Sequence, residues 1–410
     1  MRGRPLLYTS YPNEMRLFPT TTKRVALVLL LIILFLLPLK LLPLVGFLGD
    51  SDWLILIDRA LIFAIGALGL NLLTGVAGQV SLGHAFFMAV GAYTAAVVGG
   101  EPGSTLWGLE MPMWVWLPAA GLVAALIGIL VAPTAVRVRG LYLAFVTLGL
   151  VFIGQYLWRN LGKIAGGPGT GREWPPLELA VWRGQEPLIS FADDGPWFGV
   201  DMVRQGKAYY LLLFLVIVFA LLAKNMMRTK VGRSWASIRD RDIAAEIMGV
   251  AEAKGKTQAF AISSFYAGVA GALLASFFGR LIPETWDLLL SVEFIAIILI
   301  GGAGTITGAL MGTAFVVLLP RLVEDFTLWL AELAQGDSIG SSLANLIVAT
   351  DAQDFGLIST TAAGPGLSIF QLNIVLFGVL IVVFLIFEPL GLYGIWIRIR
   401  NYWKAWPFSY

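Results

Sequence analysis

Apolar residues fall in long runs along most of this 410-residue chain, separated by short polar or glycine-rich stretches. Most runs are about 20 residues long, the length a helix needs to cross a hydrocarbon core. The pattern predicts helical spans near residues 24–42, 54–73, 80–99, 113–136, 140–159, 208–226, 257–279, 287–301, 304–320 and 372–390. The short alternating segments of a membrane β-barrel are absent. The fold class is therefore all-α: a polytopic transmembrane helical bundle with broken or short helices where glycine collects. The spans at 287–301 and 304–320 are short and meet at Gly301-Gly302-Ala303-Gly304. Two steep helices fit, and so does a re-entrant pair; counted as two, they bring the total to about ten.

Composition agrees: 58% of residues are hydrophobic, 13% are charged and mean hydropathy is +0.82, against roughly a quarter charged in soluble domains. The placement of charge says more than the net value of +2. Before the first span stand Arg2, Arg4, Arg16, Lys23 and Arg24 against Glu14, and after the last stand Arg398, Arg400 and Lys404. Segment 321–370 is the reverse, with Arg321 against Glu324, Asp325, Glu332, Asp337, Asp351 and Asp354. The positive-inside rule then puts both termini and the island 224–256 in the cytoplasm and 321–370 outside. Two ends on one side require an even number of crossings. The first run contains Pro38, Lys40 and Pro43 and is followed by no small-residue cleavage site, so it reads as an uncleaved span. The expected organisation is a cytoplasmic tail over 1–23, a transmembrane domain over 24–390 and a cytoplasmic tail over 391–410. Within the domain, 227–256 is an inner charged loop, and 160–207 and 321–371 are outer loops. Residues 326–334 suit a short interfacial helix. With no cysteine, the chain has no disulfide and no thiolate chemistry.

Two glycine-rich nodes stand out, Thr74-Gly75-Val76-Ala77-Gly78-Gln79-Val80-Ser81-Leu82-Gly83-His84 and Gly301-Gly302-Ala303-Gly304-Thr305-Ile306-Thr307-Gly308. An ancient internal repeat and independent use of glycine at helix breaks both account for them. Gly304, Gly308 and Gly312 are spaced to form one smooth helical ridge, as are Ala267, Gly271 and Ala275. Such ridges pack helices closely in lipid; the other reading is that they slide during transport. Asn71, Thr74, Gln79, Ser81 and His84 are polar at membrane depth, where polar groups must be paired or face a water-filled path. His84, the only histidine, either bonds across helices or takes part in gating. Glu293 either lines a pathway or sits at the outer interface. Asp58 and Arg59 read as an interfacial pair.

Segment 249–257 looks like a phosphate-binding loop, but five residues separate Gly249 and Gly255 where four are required, and no β-strand precedes it. No nucleotide site, metal cluster or nucleophile–base set is expected, so the chain has no catalytic residue, no metal and no cofactor of its own. Between Lys224 and Lys256 lie eight basic and four acidic residues, flanked by apolar spans. Residues 240–249 read as a short amphipathic helix, with Ile243, Ile247 and the following Val250 at helical spacing, and Gly249 is a natural stop. This short amphipathic helix either lies on lipid headgroups or inserts into the groove of a soluble partner.

The run Gly69-Leu70-Asn71-Leu72-Leu73-Thr74-Gly75 through Gln79-Val80-Ser81-Leu82-Gly83-His84-Ala85-Phe86-Phe87 and Val90-Gly91-Ala92-Tyr93 resembles LivM-type permease subunits of branched-chain amino acid ABC importers. So do Gly232-Arg233, Ile238-Arg239-Asp240, Ala244-Ala245 to Gly249, Ile300 to Thr305 and Glu388-Pro389-Leu390-Gly391-Leu392. The resemblance covers residues 50–320 and 372–400. It implies a multi-pass protein of a bacterial-type plasma (inner) membrane, working with a second LivH-type permease subunit, two cytoplasmic ABC ATPase subunits and an extracytoplasmic substrate-binding protein. Nucleic acid is not an expected partner. The coupling pattern of such permeases, Glu-Ala-Ala with Gly four residues on, matches at Ala244, Ala245 and Gly249. Ile243 stands in the glutamate's place, leaving Asp242 or Glu246 to supply a charge. The resemblance thus implies ATPase coupling through Asp242, Ala244, Ala245, Glu246 and Gly249. The polar residues at membrane depth, Asn71, Thr74, Gln79, Ser81, His84 and Glu293, are the candidates for its substrate pathway. Urea, short-amide and sugar permeases of the same superfamily, and an ion-coupled carrier of another class, are the competing expectations.

Overall fold

The computed structural model describes residues 21–40, 49–103, 106–138, 140–167, 171–183, 185, 187–197, 200–334, 348–349, 358–359, 367–388 and 390–405. Its helices are α1 (Thr21–Leu36), α2 (Ser51–Leu70), α3 (His84–Gly99), α4 (Met113–Arg137), α5 (Leu141–Asn160), α6 (Gly162–Ala165) and α7 (Arg204–Arg228). They continue with α8 (Lys230–Ile247), α9 (Glu252–Phe278), α10 (Leu288–Gly301), α11 (Ile306–Ala334), α12 (Ile369–Phe387) and α13 (Gly391–Ala405). A helix occupies each of the ten stretches marked by the apolar pattern. Among the described residues, six are long and apolar enough to cross a membrane: α2 with its extension to Val76, α4, α5, α7, α9 and α11. The protein is a multi-pass, all-helical membrane bundle.

Helix α9 is the axis of the core. It packs against α2, α3 and α4, and its residues 266–275 are all buried. The reason is the size of its side chains. A Cβ at Gly271 would collide with the Met88 backbone, and one at Gly268 would lie 2.6 Å from the Ala120 carbonyl oxygen. Helices can approach that closely only where side chains are absent, and in lipid this close packing replaces the hydrophobic drive. The outer faces carry bare apolar side chains: Leu130 is 76% exposed and Phe214 62%. Such a surface suits hydrocarbon contact.

Segment 321–334 departs from the expectation. It continues α11 without interruption past Pro320, where the pattern placed the start of an outer loop and a separate interfacial helix. Arg321 pairs with Glu324 (3.6 Å) and Asp325 (3.1 Å) one turn on, and such i,i+3 and i,i+4 pairs sustain an exposed helix beyond its apolar part. The Asp337, Asp351 and Asp354 positions, and residues 1–20 with Arg2, Arg4, Glu14 and Arg16, lie outside the described residues. Loop 160–207 is pinned to the bundle where Arg172–Glu173 pairs antiparallel with Arg280–Leu281. Arg172, 3% exposed, donates to the carbonyl oxygens of Trp107 (2.5 Å) and Ile164 (3.2 Å). Burial pulls its pKa below the ordinary arginine value.

Candidate functional site

Two broken helices meet inside the bundle. The end of α2 loosens into a wider π-type turn over Asn71–Val76, and the chain then reverses at Gly78, whose φ of +71° favours glycine. The second break lies between α10 and α11, where Gly302 and Gly304 take φ of +114° and +81°. Asn71, fully buried, joins them. Its Nδ2 donates to the Thr305 carbonyl oxygen (3.0 Å), and its Oδ1 accepts from the Gly304 N–H (2.8 Å). Gly75 faces Gly304 so closely that a Cβ would strike the Gly304 nitrogen and Asn71 Oδ1.

The other polar residues of the first node serve the same break. Thr74 Oγ1 donates to the Gln79 carbonyl oxygen (3.1 Å), and Gln79 Nε2 donates to that of Ala77 (3.2 Å). Ser81 Oγ accepts from the Gly83 N–H (3.3 Å). Backbone groups released by a broken helix need such partners at membrane depth. The glycine ridge differs from the expected one at one end. Gly304 lies in the turn before α11 and faces Gly75, because its positive φ ends any helix there. The ridge on α11 is Gly308 and Gly312, which press against Gly301 of α10. Gly271 belongs instead to the contact of α9 with α3.

Beneath the node lies the charged helix. Helix α8 starts directly after Thr229 and is broken at Arg241, whose φ of −155° and ψ of 101° separate two arms. The first arm is anchored: Trp235 is fully buried and its Nε1 donates to the Gly255 carbonyl oxygen (3.0 Å). The same arm projects Arg239 into the node. Its Nη1 donates to the carbonyl oxygen of Gly75 (2.9 Å), and its aliphatic stem lies on Gly78, where a Cβ would sit 2.5 Å from Arg239 Cγ. The second arm turns outward. Ile243 is 64% exposed, Ile247 81% and Met248 83%, while Ala245 is buried at 5%. Ala244, Glu246 and Gly249 are exposed and Asp242 is half-buried, its Oδ1 accepting from the Ile243 N–H (2.8 Å). Gly249, at φ +83°, turns the chain toward α9. The lysine of the nucleotide-loop lookalike is committed elsewhere: Lys256 Nζ contacts Glu252 (2.7 Å) and donates to the Ala135 carbonyl oxygen (3.3 Å).

The remaining sequence candidates lie toward the opposite end of α2. His84, 2% exposed, packs its ring 4.8 Å from that of Phe294, which stacks on Phe63 at 4.8 Å. Glu293 faces Arg59 at 3.6 Å across the α2–α10 contact. This corrects the pairing of Arg59 with Asp58. Adjacent helical residues point about 100° apart, so Asp58 turns into the bundle, 2% exposed, and Arg59 reaches α10. Sequence reasoning missed Arg59 as a partner of Glu293 and Arg239 as a partner of the node. The available signal was charge at membrane depth for the first and the Ile238-Arg239-Asp240 motif for the second.

A family model described as branched-chain amino acid transport system / permease component matches residues 54–337. The high-affinity branched-chain amino acid transport system permease protein LivM of Salmonella typhimurium is 33% identical over 274 residues, 65% of this chain and 62% of that protein. The Escherichia coli LivM protein is 34% identical over 275 residues, with the same two shares. An autoinducer 2 import system permease protein, LsrC of Enterobacter sp., is 29% identical over 226 residues, 54% of this chain and 57% of that protein. The match thus spans less than two thirds of each relative's length. No solved structure matches the chain. The family match takes in both glycine nodes, the broken charged helix and the core around α9, and the chain belongs to the family of permease components of branched-chain amino acid transport systems.

Proposed function

We propose that the chain is the membrane-spanning permease subunit of an ABC importer for branched-chain, hydrophobic amino acids, and that it transmits ATP-driven motion without chemistry of its own. The observation that carries this reading is the Arg239–Gly75 contact. It joins the helix that offers an exposed apolar knob (Ile243, Ile247, Met248) to the point where two broken helices cross. A soluble ATPase that moves the knob moves the first arm of α8 with it, and Arg239 passes that displacement to Gly75, Asn71 and Gly304. The family and the LivM relatives support the class and the substrate. The assembly has a second, LivH-type permease subunit, two cytoplasmic ATPases docked around Asp242, Ala244, Ala245, Glu246 and Gly249, and an extracytoplasmic binding protein on the face carrying 160–207. The chain crosses a bacterial-type inner membrane ten times, with both ends and α8 in the cytoplasm. Asn71, Thr74, Gln79, Ser81 and His84 shape the pathway wall, with Glu293 at its mouth.

The test is uptake of radiolabelled leucine, isoleucine and valine by the reconstituted assembly. Uptake should require ATP and the binding protein and survive collapse of ion gradients. Uptake driven by an ion gradient with ATP absent would overturn the importer reading. The LsrC relative favours a second reading, import of another small polar solute through the same fold. Uptake that none of the three amino acids supports or competes for would favour that reading instead.

A further inference from the structure

Arg59 and Glu293 form a charged pair at a depth where charge is costly. Arg59 stands eight residues into α2, about 12 Å along its axis at 1.5 Å per residue. Glu293 stands five residues into the apolar helix α10. Their side chains remain 37% and 22% exposed, so both reach the surface of the subunit at that depth. Hydrocarbon does not accept such groups, whereas a water-filled path or a polar ligand does.

The pair is loosely made. The separation of 3.6 Å is an ion-pair distance beyond hydrogen-bond reach, and Arg59 Nε is buried without a hydrogen-bond partner among the described residues. The Arg59 guanidinium lies 5.1 Å from the centre of the Phe63 ring. Below it, the stacked Phe63 and Phe294 rings close the α2–α10 contact down to His84. The nearby Asp287 carboxylate is already used, accepting from the Leu290 N–H (3.0 Å). One helical turn from the pair, on the same faces of α2 and α10, stand Ile55 (36% exposed) and Leu289 (55%).

We propose that Arg59 and Glu293 are a reading site for the zwitterionic head of an aliphatic amino acid, an inference that rests on the importer reading. An α-amino acid carries the complementary pair, a carboxylate for Arg59 and an ammonium for Glu293. Inserting it between the two exchanges one ion pair for two and changes the net charge of the site by nothing. Its branched side chain then lies on Ile55 and Leu289, above the aromatic closure. A solute with a single charge leaves one of the two protein charges unmatched, which is the costly outcome at this depth.

Binding to the assembled transporter (this chain, its partner permease and the ATPases), without the binding protein, tests the site. Radiolabelled leucine is titrated, with 4-methylpentanoate (no ammonium) and 3-methylbutylamine (no carboxylate) as competitors. Leucine should bind saturably, and each single-charge analogue should compete about tenfold more weakly, the scale of one lost hydrogen bond to a charged group. Arg59→Gln should weaken leucine and 4-methylpentanoate while 3-methylbutylamine binds no worse, since no arginine is then left unmatched, and Glu293→Gln should do the converse. Arg59→Lys should recover most leucine binding. No saturable leucine binding by the wild type, or equal losses for all three ligands in each variant, overturns the site. ATP-driven leucine uptake with the binding protein, run in parallel, separates the two readings. Uptake intact with the site inert removes this inference alone, and no uptake of any aliphatic amino acid removes the importer reading with it.

Discussion

In the proposed coupling route Arg239 transmits motion and Asn71 holds the node together, so their substitutions should fail differently. Asn71→Leu removes the bonds to Thr305 and Gly304 (3.0 and 2.8 Å) and leaves the half-buried Gly304 N–H without its acceptor. Each such loss costs about 1–3 kcal/mol, so thermal unfolding in detergent should begin at clearly lower temperature. Arg239 is a part-exposed side chain anchored by its own helix. Arg239→Ala should leave the unfolding temperature nearly unchanged and cut uptake about tenfold, the scale of one charge-assisted bond. ATP hydrolysis by the partner subunits should continue, no longer stimulated by the loaded binding protein. Stimulated hydrolysis with full uptake in Arg239→Ala would remove this residue from the coupling route. Asn71 was legible in the sequence as a polar group at membrane depth. Its partners were not, because Gly304 and Thr305 lie 233 and 234 residues away and nothing local encodes the meeting. The same distance hid Arg59 from Glu293 and made neighbouring Asp58 look like the partner.

At the scale of elements, the two kinds of glycine make opposite predictions. Gly271→Val places a branched side chain against the Met88 backbone at the tightest contact of α9 with α3. Backbone cannot give way as a flexible side chain can, so the folded protein should be lost from the membrane fraction. A Cβ at Gly249 meets nothing within 4 Å, so Gly249→Trp at this exposed turn chiefly strains a φ of +83°, about 1–2 kcal/mol for a left-handed non-glycine residue. The protein should therefore accumulate normally while uptake is abolished, since an indole beside Ile247 and Met248 blocks a partner's groove. Normal uptake by Gly249→Trp would sink α8 as the docking element. Helices were the most legible part of this chain, because a 20-residue apolar run permits few other structures in lipid. The end of α11 was not, since Pro320 followed by Arg321, Glu324 and Asp325 reads as the end of a helix, whereas the charges are paired along one that continues. The break inside α8 was equally hidden. No glycine or proline marks Arg241, and the kink arises because Trp235 and Arg239 hold one arm inward while Ile243 and Ile247 turn out.

For the whole molecule, the decisive quantity is which ends share a side. In the proposed topology, charge puts both termini and α8 in the cytoplasm, and the ten helical stretches make the count even. Among the described residues six are long enough to cross unaided, whereas α3 and α10, with 16 and 14 residues, are short for a membrane about 30 Å thick. Those two are the helices that begin or end at the glycine breaks, so they reach full depth only together with the irregular segments 77–83 and 302–305. If either instead turned back within the membrane, every later segment would change sides. The absence of cysteine makes the chain a ready background for single-cysteine labelling. Thr22→Cys, Lys254→Cys and Asn401→Cys, all at exposed positions, should react with an impermeant maleimide only after the inner face is opened. Gln185→Cys, exposed in the loop pinned by Arg172, should react on intact cells. Thr22 and Asn401 labelling from opposite sides would make the number of crossings odd. The segment at fault would then be located by Trp107→Cys, between α3 and α4, and Thr285→Cys, between α9 and α10, which an even count places together on the outer face.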